Sequence, residues 1–203
     1  KGLLLPPSIS PVQIVIVPIP MKDSGKEVEQ KCAALEKKLS GYRVKLDLRN
    51  HRPGFKFNEW EMRGVPLRLE VGPRDVEKKE VTLVRRDTGE KYVVPDEDAP
   101  QKIEELLSDI FSRMKFAAEK KFIAFVSEAK SFKEMEAKLD DGGFVRVPFC
   151  SVEKEGENCA AKIEGVHAKV RGTLFGRKES LKGLECVVCG GHALHEVYVA
   201  KAY

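Results

Sequence analysis

The segment from Gln13 to Ile19, bracketed by Pro11 and Pro20, is a near-continuous run of Val and Ile. It restricts the fold more tightly than any other stretch. A strand with one wet face alternates apolar and polar residues, whereas an unbroken β-branched run suits a strand buried on both faces. The next segment has helical grammar. Ser24-x-x-Glu27 is a capping box, Val28, Cys32, Leu35 and Leu39 recur at helical spacing, and Gly41 supplies a stop. Tyr42, Val44, Leu46 and Leu48 then alternate as a second strand. The unit is strand, helix, strand.

Arg49 to Phe57 reads as a loop, and Asn58 as the cap of a short helix through Met62. Val65 to Val71 alternates as a strand ending at Gly72-Pro73. Val81 to Arg85 and Tyr92 to Val94 flank Asp87-Thr88-Gly89, whose glycine can take positive φ, so they are expected to pair as a hairpin. A long helix begins at Asp98 with Pro100 in its first turn. Its apolar face carries Ile103, Leu106, Leu107, Ile110, Phe111 and Met114 and closes one side of the sheet. Ser131-x-x-Glu134 is a second capping box ahead of Phe132, Met135 and Leu139.

Asp141-Gly142-Gly143 marks the expected domain boundary. Beyond it come short strands, four of the five cysteines and three of the four histidines. The expected architecture is an α/β domain with a mixed β-sheet flanked by helices, over 12–141, joined to a small α+β domain over 142–203. At 203 residues, one large domain or one domain with a satellite are the options. With 42% hydrophobic and 33% charged residues the chain is globular rather than disordered. Its longest apolar run is far too short to span a bilayer, and KGLLLPP lacks a stretch of signal-peptide length, so no membrane partner is expected and the protein reads as soluble and intracellular.

Lys and Arg total 36 against 32 acids, a net charge of only +4. Its distribution says more. Between Tyr42 and Asp75 stand eight bases and five acids, +3 of the whole, interleaved with Phe55, Phe57 and Trp60. Guanidinium groups that hold phosphates among rings that stack bases are what a reader of single-stranded RNA needs. A solvated charged face is the alternative, with Trp60 assigned to packing.

Cys186-Val187-Val188-Cys189-Gly190-Gly191 has the form of a zinc knuckle. Two thiolates two residues apart can face one tetrahedral ion, and the glycines let the chain fold back with its NH groups toward the sulfurs. Cys150, at the end of the Phe144 to Phe149 strand, and Cys159, opening a helix from Cys159 to Val166, supply a second pair. A disulfide pairing is the rival reading, disfavoured in an intracellular chain with a fifth, helix-buried Cys32. His192 and His195 are possible substitute ligands. His51 and His167 read as structural. No Gly-rich phosphate loop, HExxH or GxSxG pattern occurs, so no catalytic residue is assigned.

The run GFKFNEWEMRGVPLRLEVGPRD (Gly54 to Asp75), with VRRDTGEK (Val84 to Lys91), closely resembles the anticodon-binding domain of prolyl-tRNA synthetases of the archaeal and eukaryotic type. RGTLFG (Arg171 to Gly176), CVVCG (Cys186 to Gly190) and VYVAKAY (Val197 to Tyr203) resemble the C-terminal zinc-binding domain of the same family. The opening residues 1–11 look like the exit from its catalytic domain. The resemblance implies a class II synthetase anticodon-binding fold and a parent enzyme that attaches proline to its tRNA using ATP and Mg2+ in a catalytic domain preceding Lys1. It also implies a homodimer formed through that domain, a structural Zn2+ on Cys150, Cys159, Cys186 and Cys189, and a cytoplasmic location.

Proline anticodons share two adjacent guanines. Guanine presents NH donors that a carboxylate accepts, while its O6 and N7 accept from arginine. By the resemblance, Phe57, Glu61, Arg68, Arg74 and Asp75 are the anticodon-binding set, with arginine at 74 where some relatives carry lysine. Ser151 to Asn158 is longer and richer in Glu and Lys than the usual spacer between the first two cysteines, a change of small closure cost, ~0.6 kcal/mol per doubling. Tyr203 takes the place of a C-terminal tyrosine whose carboxylate reaches toward the catalytic domain. A free-standing RNA-binding module or a scaffold reusing the domain pair is the alternative, and the abrupt start without Met favours a fragment. Because no ATP-binding or amino-acid-binding constellation lies between Lys1 and Tyr203, the chain alone is expected to give no proline-dependent ATP-pyrophosphate exchange. Exchange above a no-protein control refutes that expectation.

Overall fold

The computed structural model describes residues 2–21, 24–176, 181 and 183–201. They form two compact units, Lys1–Ala117 and Ala118–Tyr203. Among the described residues, no helix is long and apolar enough to cross a membrane.

In the first unit the Val/Ile run is strand β1 (Ile14–Pro18), buried at every position. It is followed by α1 (Gly25–Lys38), β2 (Val44–Leu46), α2 (Pro53–Met62), β3 (Leu67–Val71), α3 (Pro73–Lys78), β4 (Glu80–Arg85) and β5 (Lys91–Pro95). The sheet order is β2-β1-β3-β4-β5. β1 runs parallel to β2 and β3, while β3, β4 and β5 pair antiparallel, so the sheet is mixed as expected.

Alternation along β1 sorts its side chains onto two cores. Ile14 and Ile16 pack with Leu67, Leu69 and the apolar rows Val28, Cys32 and Leu35 of α1 and Ile103, Leu106 and Leu107 of α4 (Ala99–Ala124). Burial there pushes the Cys32 thiol up to about 12. Val15 and Val17 face the other way, against Trp60, Val65 and Phe57. The second face is therefore the one that carries α2.

Several local expectations are corrected. Ser24 precedes α1 but forms no side-chain cap, because its Oγ accepts from the Met21 NH instead. The helix ends at Lys38 with Leu39 as cap, before Gly41. Asn58 lies inside α2, which begins at Pro53: Arg52 is extended, as a residue before proline must be, and Pro53 takes the first helical position, where its missing NH costs nothing. The same device starts α3 at Pro73, where the sequence pattern indicates only the end of a strand. On α4 the buried row stops at Ile110, and Phe111 is exposed.

The second unit contains β6 (Val126–Glu128), α5 (Phe132–Asp140), β7 (Phe144–Phe149), a 3-10 turn (Lys154–Gly156), α6 (Glu157–Glu164), β8 (Ala168–Gly172) and β9 (His195–Lys201). Its sheet order is β6-β7-β9-β8, with β6 parallel to β7 and the other pairs antiparallel. Asp141-Gly142-Gly143 falls inside this unit rather than at its edge, because α5 supplies Met135 and Leu139 to the same core as Val145, Val147, Val197 and Val199. The glycines serve the turn into β7. Gly143 has φ +84, and a Cβ there would stand 2.4 Å from the Phe125 carbonyl oxygen. Ser131 does cap α5, accepting from the Glu134 NH at 3.3 Å, but the returning carboxylate takes the Lys130 NH, one residue earlier than a capping box places it.

Candidate nucleic-acid interface and metal centre

Helix α2 presents two adjacent rows. Lys56 and Trp60, four apart, point inward, and the neighbouring pair Phe57 and Glu61 lies toward β3. The helix ends in a Schellman motif: the Gly64 NH donates to the Glu61 carbonyl at 3.1 Å and the Val65 NH to the Trp60 carbonyl at 3.2 Å. Gly64 takes φ +76, as the motif requires, and Val65 packs on Trp60.

Arg68, on β3, meets the outer row. Its guanidinium carbon lies 4.1 Å from the Phe57 ring centroid, its Nη1 is 2.7 Å from Glu61 Oε1, and its Nε donates to Glu70 Oε1 at 3.0 Å. Lys91 reaches Glu70 at 3.3 Å from β5. A cavity of about 350 Å3 opens beside Glu61 and Arg68, with Arg86 and Lys91 also on its wall. The structure thus brings Phe57, Glu61 and Arg68 into direct contact. Arg74 and Asp75 sit in the first turn of α3 beyond the end of β3; Arg74 is exposed, and Asp75 Oδ2 accepts from the Gly72 NH at 2.7 Å. Among the described residues, no hydrogen bond or ion pair joins these two to the trio.

A polar network under α2 has no counterpart in the sequence reading. Asp47, 2% exposed, takes Arg49 in a two-pronged contact at 2.9 and 2.7 Å and the Trp60 Nε1 at 2.8 Å, while its carbonyl accepts from buried Lys56 at 2.9 Å. The Arg49 hydrogen bonds hold the Asp47 carboxyl far below the usual carboxylate range against the opposing effect of burial. Arg49 and Arg63 both pair with Glu59 at 2.7 and 2.6 Å and lie 5.8 and 5.1 Å from the Trp60 ring centroid. An acid just after an apolar strand position, and a tryptophan thirteen residues further on, carry no local signal for such a network.

In the second unit the thiols of Cys150, Cys159, Cys186 and Cys189 all lie within 4.8 Å of one another. Cys150 follows β7, Cys159 sits in the first turn of α6, and the knuckle folds back through Cys186 NH to Gly191 O at 2.7 Å and Gly190 NH to Cys186 O at 2.9 Å, with Gly190 at φ +71. Cys150 and Cys159 are 3.6 Å apart, well beyond the bonded sulfur distance of about 2.05 Å, and all five cysteines are free thiols. A tetrahedral ion with ~2.3 Å bonds to sulfur has edges of about 3.8 Å. The four thiols fit such an ion. Burial raises the Cys150 and Cys159 thiols, whereas the backbone hydrogen bond from Gly191 lowers Cys189 to about 7. His192 and His195 do not join this cluster. Tyr203 lies outside the described residues.

Residues 13–106 match the anticodon binding domain family. By this match the segment that carries α2 and β3 is similar to anticodon binding domains. Residues 132–203 match the C-terminal domain of prolyl-tRNA synthetase. The whole chain aligns with proline-tRNA ligases of Thermofilum pendens at 44% identity and Pyrococcus horikoshii at 38%, and with the proline-tRNA ligase, cytoplasmic, of Arabidopsis thaliana at 36%. The chain belongs to the prolyl-tRNA synthetase family, as the C-terminal part of its members. It spans 42%, 43% and 39% of the lengths of those three relatives.

Proposed function

We propose that this chain reads the anticodon of proline tRNA through Phe57, Glu61, Arg68, Arg74 and Asp75, and that its four clustered cysteines hold a structural zinc ion. The contact of Arg68 with both the Phe57 ring and Glu61 carries the reading. Arg68 has a second carboxylate partner in buried Glu70. When Glu61 turns to the NH groups of a guanine, Arg68 keeps a counter-charge and offers its outer nitrogens to O6 and N7, while Phe57 gives a stacking surface. Exposed Arg74 meets the neighbouring phosphate or guanine, and Asp75 accepts from the second base with the oxygen that its turn leaves free.

Ligation by four thiolates suits zinc, closes the coordination sphere and gives a structural rather than a catalytic centre. In the parent enzyme, a cytoplasmic homodimer, the ATP-dependent attachment of proline falls to the catalytic domain.

The test is binding of Glu61→Ala to proline tRNA and to the same tRNA with each guanine replaced by adenine. Losing one carboxylate contact is expected to cost about 1 to 3 kcal/mol and to relax selectivity at one base. Lys130→Ala, in the second unit and outside the proposed base-contacting set, is expected to change binding weakly and evenly. Equal loss for all RNAs with Glu61→Ala returns the segment to a solvated face.

A further inference from the structure

The trio that meets RNA in this reading is only as well placed as α2, and α2 has no side-chain cap at its N-terminus. Its orientation has to be set elsewhere. Two inward side chains one turn apart, Lys56 and Trp60, both end on Asp47: the ammonium donates to the Asp47 carbonyl at 2.9 Å and the indole to its carboxylate at 2.8 Å. Asp47 lies immediately after β2, and its own NH donates to the carbonyl of Ile16 in β1 at 3.0 Å, so it is fixed to the sheet. Lys56 and Trp60 are 4% and 6% exposed, so neither tie competes freely with water. The next side chain along the helix from each anchor is a member of the trio, Phe57 after Lys56 and Glu61 after Trp60. A rotation of α2 that lengthened the Asp47 ties would carry Phe57 and Glu61 away from Arg68.

We infer that Asp47, held by Lys56 and Trp60, is a positioning residue for base selectivity: it touches no RNA and acts by fixing the angle at which α2 presents Phe57 and Glu61. This rests on the reading of that trio as the base-contacting set. Arg49, Glu59 and Arg63 reinforce the clamp, because the two guanidinium groups approach the Trp60 ring and share Glu59. The low-lying Asp47 carboxyl keeps the acceptor charged throughout the physiological range.

Asp47→Asn keeps the volume and removes the charge; Lys56→Met keeps the chain length and removes the other tie. Both, with Glu61→Ala and the Asp47→Asn/Glu61→Ala double variant, are to be titrated with proline tRNA and its guanine-to-adenine variants. The single tryptophan makes the Trp60 indole NH resonance a direct monitor of the clamp. Asp47→Asn and Lys56→Met should shift that resonance and lower the guanine-over-adenine preference about tenfold, as a displaced recognition group does, with affinity for the adenine variant changed less than about twofold. Adding Asp47→Asn to Glu61→Ala should lower the preference no further.

If the indole resonance shifts while the preference stays at the wild-type value, the clamp has no positioning role. A loss that adds fully to that of Glu61→Ala overturns it as well, since the two residues then act separately. Failure of both single variants to give a cooperative melting transition reduces Asp47 to a structural residue. Should Glu61→Ala itself leave the preference intact, the base-reading assignment falls first and the clamp's role falls with it.

Discussion

Cys186→Ser is expected to abolish binding of the proposed metal ion and to unfold the second unit. Cys186 is 2% exposed and packs in the same core as Val197, Val199 and Phe149, so the proposed metal ligand is also a core residue. Structural zinc contributes an apparent ~10 to 16 kcal/mol to small domains at neutral pH, more than most domains have in total. The expected result is loss of hydrogen-exchange protection across β7 and β9 with protection of β1 and β3 retained, and metal content near zero. Native protection of β7 and β9 in the variant contradicts the assignment. Acid should act in the same direction. A thiolate held by the ion titrates below the free cysteine value of about 8.5, so its contribution is complete above that pH and is lost as pH falls. Metal retention measured from about pH 8 down to about pH 5 is therefore expected to decline toward the acid end.

Gly156→Ala is expected to be the most damaging single methyl in the second unit. Its φ of −86 is open to any residue, so conformation is not the reason for glycine here. Space is. A Cβ would stand 1.8 Å from the Ser151 carbonyl oxygen and 3.2 Å from the Phe149 ring, and both belong to the segment that sets the spacing of Cys150 and Cys159. Backbone has to move, at a cost of about 3 kcal/mol or more, and metal affinity is expected to fall with it. Gly142→Ala is the contrast: its φ is +87 with nothing within 4 Å, so only the left-handed strain of about 1 to 2 kcal/mol is expected. Urea midpoints with zinc present compare the two. Equal shifts would show that the contact with Ser151 is relieved without cost.

The parts of the fold legible in the sequence are those whose cause is local. The β1 run, the apolar rows of α1 and the Asp87-Thr88-Gly89 hairpin each announce themselves within a dozen or so residues. The cysteines are legible because thiolate chemistry leaves few alternatives at Cys-x-x-Cys spacing, and the structure gathers all four. Errors arise where one residue type has two meanings. Pro53 and Pro73 suggest a loop and a strand end, although proline equally opens a helix. Gly142-Gly143 suggests a linker, although the parallel pairing of β6 with β7 makes it an internal turn. The Asp47 network is invisible for a different reason: its members meet only after β2 and α2 have docked, and no spacing encodes that.

The two rows of α2 have a consequence for how recognition can change over evolution or by design. A helix turns about 100° per residue, so one residue inserted before Phe57 would rotate the following surface by more than a quarter turn and bring the wrong side chains to Arg68. The anchors at 56 and 60 and the proposed readers at 57 and 61 are locked in phase. New base preferences are therefore reached by exchanging the side chains at 57, 61 and 68 on an unaltered frame, whereas any change of length in this helix abolishes the old preference without creating another.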